Sequence, residues 1–180
     1  GEIKTKPTQQ SVAKLREIGI QPDIIICRTE ADLDEDNRKK IAMFCNVEKK
    51  NVVAFRDVAH SIYECPLDLR RDKIDRLVVD KIGLSDTPAP ALEDWEKFVQ
   101  RVIHPLHKVT IAVAGKYIEL QDAYKSIYES LTHAGAHHDT KVHIVRVEAE
   151  AIEDHGAKAV IGDVDGILVP GGFGDRGIEG

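Results

Sequence analysis

Val109-Thr110-Ile111-Ala112-Val113-Ala114 runs directly into Gly115-Lys116-Tyr117. Apolar and β-branched residues in an unbroken run read as a strong strand, and the glycine breaks it at its C-terminal end. Outward from it, Asp122 reads as the cap of a helix carrying Tyr124, Ile127, Tyr128 and Leu131. Val142-His143-Ile144-Val145-Arg146-Val147 is a second strand, whose alternation suggests a more exposed edge. Helical residues and a turn follow around 149–162, then a third strand, Asp165-Gly166-Ile167-Leu168-Val169. Strand, helix, strand, helix, strand is the pattern of an α/β domain with a parallel sheet.

The first half repeats the theme. Residues 11–18 read as a helix with Val12, Leu15 and Ile18 on one face, ended by Gly19. Asp23-Ile24-Ile25-Ile26-Cys27-Arg28 is a short continuous apolar run, as expected of a strand buried on both faces. Asp34-Glu35-Asp36 before Arg38-Lys39-Lys40 suits a helix dipole, with Ile41, Ala42 and Phe44 on the core side. The charge run is otherwise a solvated face; Lys40, beside Ile41, could reach over a strand end. Asn51-Val52-Val53-Ala54-Phe55 is the next strand, and Arg56-Asp57-Val58 stand at its carboxyl end, where open α/β sheets bind ligands. A helical stretch starting at Ser61 is expected to be interrupted by Pro66, and Ile74, Leu77, Val78 and Ile82 resume it as an amphipathic helix. Asp86-Thr87-Pro88-Ala89-Pro90 forms a stiff linker. Leu92, Trp95, Phe98, Val99, Val102 and Ile103 then mark a connector helix. The expected division is a domain over 1–85, a linker with its helix over 86–107, and a second domain over 108–180.

A net charge of −6 in 180 residues argues against a general nucleic-acid binder. No apolar run approaches the length of a membrane span. The opening Gly1-Glu2 has neither a signal peptide nor an initiator Met, and reads as a chain that starts within a longer protein. Cys27, Cys45 and Cys65 are odd in number and lack metal-type spacing, as reduced, buried cysteines of a cytosolic protein would. His60 reads as a capping or surface residue. His133, His137 and His138 could bind a metal, although a solvated helix end accounts for them as well.

Two stretches carry chemistry. In Ile3-Lys4-Thr5-Lys6-Pro7-Thr8-Gln9-Gln10, an extended backbone would project Lys4 and Lys6 to one side, and Pro7 disfavours a helical Lys6. The start of the following helix offers free N–H groups to an anion, so the stretch suits a polyphosphate. The amides of Gln9 and Gln10 can read a base or sugar edge. A solvated basic turn would look the same. In Pro170-Gly171-Gly172-Phe173-Gly174, paired glycines after a buried strand could turn two N–H groups toward one oxygen, as an oxyanion hole requires. The alternative is a tight structural turn.

Taken together, Gly1-Glu2-Ile3-Lys4-Thr5-Lys6-Pro7-Thr8-Gln9, Gly19-Ile20-Gln21-Pro22-Asp23, Gly115-Lys116-Tyr117-Ile118-Glu119-Leu120 and Val169-Pro170-Gly171-Gly172-Phe173-Gly174 resemble the CTP synthase family. The family's glutamine-dependent amidoligases convert UTP to CTP. The resemblance implies an internal piece: the end of a P-loop, dethiobiotin-synthetase-like amidoligase domain, then a linker helix and the start of a flavodoxin-like class I glutaminase domain. It implies that Lys4, Thr5, Lys6, Pro7, Thr8, Gln9 and Lys40 bind UTP or CTP, and that Arg56, Asp57 and Val58 contact ATP. Gly172 would bind glutamine, Gly171 would shape the oxyanion hole, and Lys116, Tyr117 and Phe173 would lie near GTP. The magnesium ligands and the glutaminase Cys, His and Glu would lie outside these residues, leaving the piece inactive alone. Further implications are GTP as activator, CTP as feedback inhibitor, a cytoplasmic homo-tetramer, and no nucleic-acid or membrane partner. The competing reading is a non-catalytic nucleotide-binding or regulatory module.

Overall fold

A computed structural model describes residues 3–120, 122–172 and 174–180. The chain divides into two compact units, Gly1–Leu92 and Glu93–Gly180.

In the first unit, β1 (Ile25–Thr29) and β2 (Val52–Arg56) pair in parallel, with Ile25 opposite Val52 and Thr29 opposite Arg56. Helix α1 (Lys6–Glu17) precedes β1, and α2 (Glu35–Cys45) makes the crossover between the strands. Asp34 caps α2 by accepting a hydrogen bond from the Asn37 N–H at 2.7 Å. Val12, Ile25, Leu33, Ile41, Cys45 and Val52 form the core. Gln21 Nε2 donates to the carbonyls of Cys45 and Asn46, both at 3.1 Å, which ties the turn after α1 to the end of α2.

Four expectations are corrected here. Thr5 caps α1 with a helical backbone and is buried, so Lys4 and Lys6 do not flank an extended residue; Pro7 sits in the helix's first turn, where its missing N–H costs nothing. Ile26 is 51% exposed, because only the Ile25 side of β1 is packed into the core. On α2, Cys45 rather than Phe44 faces inward: it falls four residues after Ile41 on the same face. Pro66 does not interrupt a helix. It occupies the first turn of α3 (Cys65–Arg71), and the break comes at Lys73, whose φ of 58° separates α3 from α4 (Ile74–Lys81). Cys45 is fully buried, whereas Cys27 and Cys65 are half-buried.

The Pro-rich segment lies on the first unit. Arg76 Nη1 donates to the Thr87 carbonyl at 2.8 Å and Arg70 Nη1 to the Pro90 carbonyl at 2.5 Å, which carries that unit through Leu92.

The second unit begins with α5 (Glu93–Ile103), the expected connector helix, which packs on α6 (Lys125–His137) with Val99 fully buried. The sheet is parallel in the order β4-β3-β5, with β3 (His107–Gly115) central, β4 (Thr140–Glu148) at one edge as its alternation suggested, and β5 (Gly166–Leu168). Helices α7 (Ala149–His155) and α8 (Ala157–Ile161) connect β4 to β5, and Ala112, Ala114, Val147 and Ile152 form the core. Asp165 locks the entry to β5: its carboxylate accepts from the Thr110 N–H at 2.7 Å, and its own N–H donates to the Thr110 carbonyl at 2.9 Å. The third strand is not the buried one expected. Ile167 is 56% exposed, since β5 is paired on its β3 side alone among the described residues. Asp122 does not cap α6; the helix starts at Lys125, and Asp122 supplies only its backbone carbonyl.

Candidate functional site

The candidate residues gather at carboxyl ends of the parallel strands, where strand-to-helix loops leave backbone groups free for ligands. At the end of β1, Lys4, Thr5 and Thr8 line a cleft of about 240 Å³ together with Cys27, Arg28 and Thr29. The buried Thr5 hydroxyl accepts a hydrogen bond from Gln9 Nε2 at 3.1 Å. That bond uses one of the two Gln9 amide N–H groups and orients the side chain along the first turn of α1. Lys6, Pro7 and Lys40 are exposed and do not line this cleft. Cys27, which no chemical reading had singled out, contributes to the wall, and burial pushes its thiol up.

At the end of β2, Arg56, Asp57 and Val58 all line a second, larger cleft of about 710 Å³. Charges of both signs converge on it: Arg38, Lys50 and Arg71 against Asp32, Asp68 and Asp72. Arg38 Nη1 donates to the Val52 carbonyl, which positions that guanidinium across the start of β2. Arg28 Nε donates to Asp57 Oδ1 at 2.6 Å, and this bond holds the Asp57 carboxyl below its ordinary range. The sequence reading noted Arg28 only as the end of an apolar run. Beyond β2, the N–H groups of Ser61 and His60 both donate to Glu64 Oε2 at 2.9 Å, forming a capping box and depressing the Glu64 carboxyl. His60 is therefore a backbone donor in a cap.

In the second unit, Lys116, Gly171 and Gly172 line one cavity of about 310 Å³, joined by Gly115, Tyr124 and Arg176. Lys116 Nζ donates to the Gly174 carbonyl at 3.3 Å, so the lysine lies along the glycine-rich turn. A Cβ at Gly172 would stand 2.9 Å from Lys116 Cε, whereas a Cβ at Gly171 would meet nothing within 4 Å among the described residues. Arg176 donates to the Lys116 carbonyl, pairs with Glu150 at 3.3 Å, and lies 5.7 Å from the centre of the Tyr117 ring. Tyr117 thus joins the site through Arg176, a residue the sequence reading gave no role. Gly115 is required by packing: a Cβ there would fall 2.5 Å from the hydroxyl of buried Tyr124. Phe173 lies outside the described residues, as do Gly1, Glu2 and Gln121. Among the described residues, no group of three His, Cys, Asp or Glu side chains could hold a metal ion.

Residues 1–84 match the family described as CTP synthase N-terminus, and residues 119–180 match glutamine amidotransferase class-I. Over its whole length the chain is 53% identical to CTP synthase of Methanocaldococcus jannaschii, covering 34% of that protein. It is 51% identical over its whole length to CTP synthase of Caldanaerobacter subterraneus and 52% to that of Syntrophus aciditrophicus, covering 33% of each. The chain spans about a third of the length of the curated relatives it matches.

Proposed function

The chain belongs to the CTP synthase family, and we propose that, within the whole protein, it supplies two nucleotide clefts and the opening of a glutaminase site to an enzyme that aminates UTP to CTP. The observation that carries this reading is the gathering of Lys4, Thr5 and Thr8 in one cleft and of Arg56, Asp57 and Val58 in another, each at the carboxyl end of a parallel strand.

In this scheme Lys4 holds the UTP triphosphate as a cation, with Lys6 and Lys40 approaching from outside the cleft wall. The Thr5 and Thr8 hydroxyls and the first turn of α1 supply hydrogen bonds. ATP lies against the loop of Arg56, Asp57 and Val58. The uracil O4 attacks the γ-phosphorus of ATP and ADP leaves; ammonia then adds at C4 and inorganic phosphate departs, leaving the amino group of CTP. Fixed cations near transferring phosphoryl groups stabilise the charge that moves onto them. Magnesium would accompany ATP in this scheme, held by residues outside this chain, and would neutralise charge on the transferring phosphoryl group. In the glutaminase half, Gly172 lies against the glutamine and Gly171 orients N–H groups toward the tetrahedral oxyanion. Lys116 and Tyr117, with Phe173, stand on the side from which GTP activates. The same reading carries a cytoplasmic homo-tetramer with CTP as feedback inhibitor. No helix among the described residues is long and apolar enough to cross a membrane.

The test is CTP formation by the full-length protein with UTP and ATP, supplied in parallel with glutamine and with ammonia. Formation with both nitrogen sources supports the reading. Failure with both, in protein shown to be folded, overturns it.

A further inference from the structure

The cavity of Lys116, Gly171 and Gly172 is bordered by a polar group that bonds to nothing around it. Tyr124 stands immediately before α6 and is only 5% exposed. Its ring packs tilted beside Tyr117 and edge-on to Tyr128, with centroids 6.3 and 6.5 Å away. The hydroxyl lies over Gly115, in the space that a Cβ there would need. Gly115 and Tyr124 both line the cavity, so the hydroxyl end of the ring is the end that borders it. A buried tyrosine hydroxyl usually has a hydrogen-bond partner. Among the described residues this one has none.

The cavity also has a size and a charge. At about 310 Å³ it suits a free amino acid rather than a whole nucleoside triphosphate. Lys116 and Arg176 line it against one acid, Glu179. That surplus of positive charge suits a carboxylate. A phenol O–H can donate to a carboxylate without adding a charge of its own. In the proposed scheme the scissile amide of glutamine belongs with Gly171 and Gly172. The α-carboxylate is then the acceptor left for Tyr124.

Resting on the proposed function, we propose that Tyr124 is a further glutamine-binding residue, whose hydroxyl donates a hydrogen bond to the α-carboxylate. Gly115 belongs to the same device: without a side chain at that position, the tyrosine can bring its donor to the cavity wall.

Tyr124→Phe tests this, because the ring keeps its packing and only the O–H is lost. CTP formation by the full-length protein is measured at saturating UTP and ATP, first against glutamine and GTP, then with ammonia in place of glutamine. The KM for glutamine should rise by about 10-fold, the scale of one hydrogen bond to a charged group, with kcat little changed. The GTP concentration for half-activation should stay at its wild-type value. The ammonia-dependent rate of the same preparation reports how much of the protein is folded. A glutamine KM within about 2-fold of wild type overturns the inference. So does a shift confined to GTP, which would make Tyr124 a nucleotide contact. Equal loss of rate with both nitrogen sources also overturns it, since that is the mark of a packing defect. Those three outcomes leave the proposed function standing. Wild-type protein that makes CTP from neither nitrogen source overturns both.

Discussion

Gly171→Ala separates a site role from a folding role. Among the described residues, a Cβ at Gly171 meets no atom within 4 Å, and the residue is not in the left-handed region of backbone space. Where a side chain fits the native backbone, Gly→Ala stabilises by about 0.4–1 kcal/mol, because the unfolded chain has less freedom to lose. The melting temperature should therefore hold or rise slightly. Loss of one oxyanion donor costs roughly 100- to 1,000-fold in rate, or about 2.7–4 kcal/mol. With the fold untouched, glutamine-dependent CTP formation in the full-length variant should fall by that order if the methyl displaces the substrate or a donor. Ammonia-dependent formation, which bypasses the glutaminase, should survive. The assay is both activities and a melting curve on one preparation. Intact glutamine turnover, or equal loss of both activities, would refute the oxyanion role; a lowered melt would refute the packing argument.

Gly115→Ala should behave oppositely: its Cβ would stand 2.5 Å from the Tyr124 hydroxyl and 2.8 Å from the ring. Displacing a buried ring costs about 1–3 kcal/mol, which denaturant unfolding will register; an unchanged midpoint would contradict the contact. For Glu64, N–H donation from Ser61 and then His60 lowers the folded-state carboxyl. Its stabilisation is therefore fully present above the unfolded value of about 4.3 and is lost as pH falls through the lower folded value. Glu64→Gln should be the less stable protein near about pH 7, and the gap should close as pH falls below the lowered folded-state value; a gap that persists in strong acid contradicts the cap. Residues 84–92 form no helix or strand, so limited proteolysis of the full-length protein should cut between Ser85 and Ala91 before it cuts inside β3. Earlier cleavage within β3 would contradict the two-unit division.

The strands were legible because β-branched runs such as Val109-Thr110-Ile111 have few alternatives. Gly19, with φ of 86°, ended α1 as its position predicted. Which side of a strand is covered was not legible. Three consecutive isoleucines at 24–26 show no alternation, so the exposure of Ile26 follows from the packing of its neighbours. Proline was misread at Pro66 because one residue type serves both as helix breaker and as helix opener. Lys4, Thr5 and Thr8, read together in the sequence, do share one cleft, although the conformation read for them was extended and the observed one is a helix cap. Arg28 escaped notice because its partner Asp57 is 29 residues away, and only the parallel register brings the two together.

The cleft at the end of β1, proposed to hold a pyrimidine nucleoside triphosphate, is lined by Lys4. Calorimetry of UTP binding to the full-length protein and to its Lys4→Ala variant tests this directly. Removing a charged hydrogen-bond donor costs about 1.5–3 kcal/mol. Affinity should accordingly fall by roughly 10- to 150-fold, and the difference should shrink as salt rises. Equal UTP affinity in the two proteins, each with a native melt, would contradict a triphosphate site at Lys4.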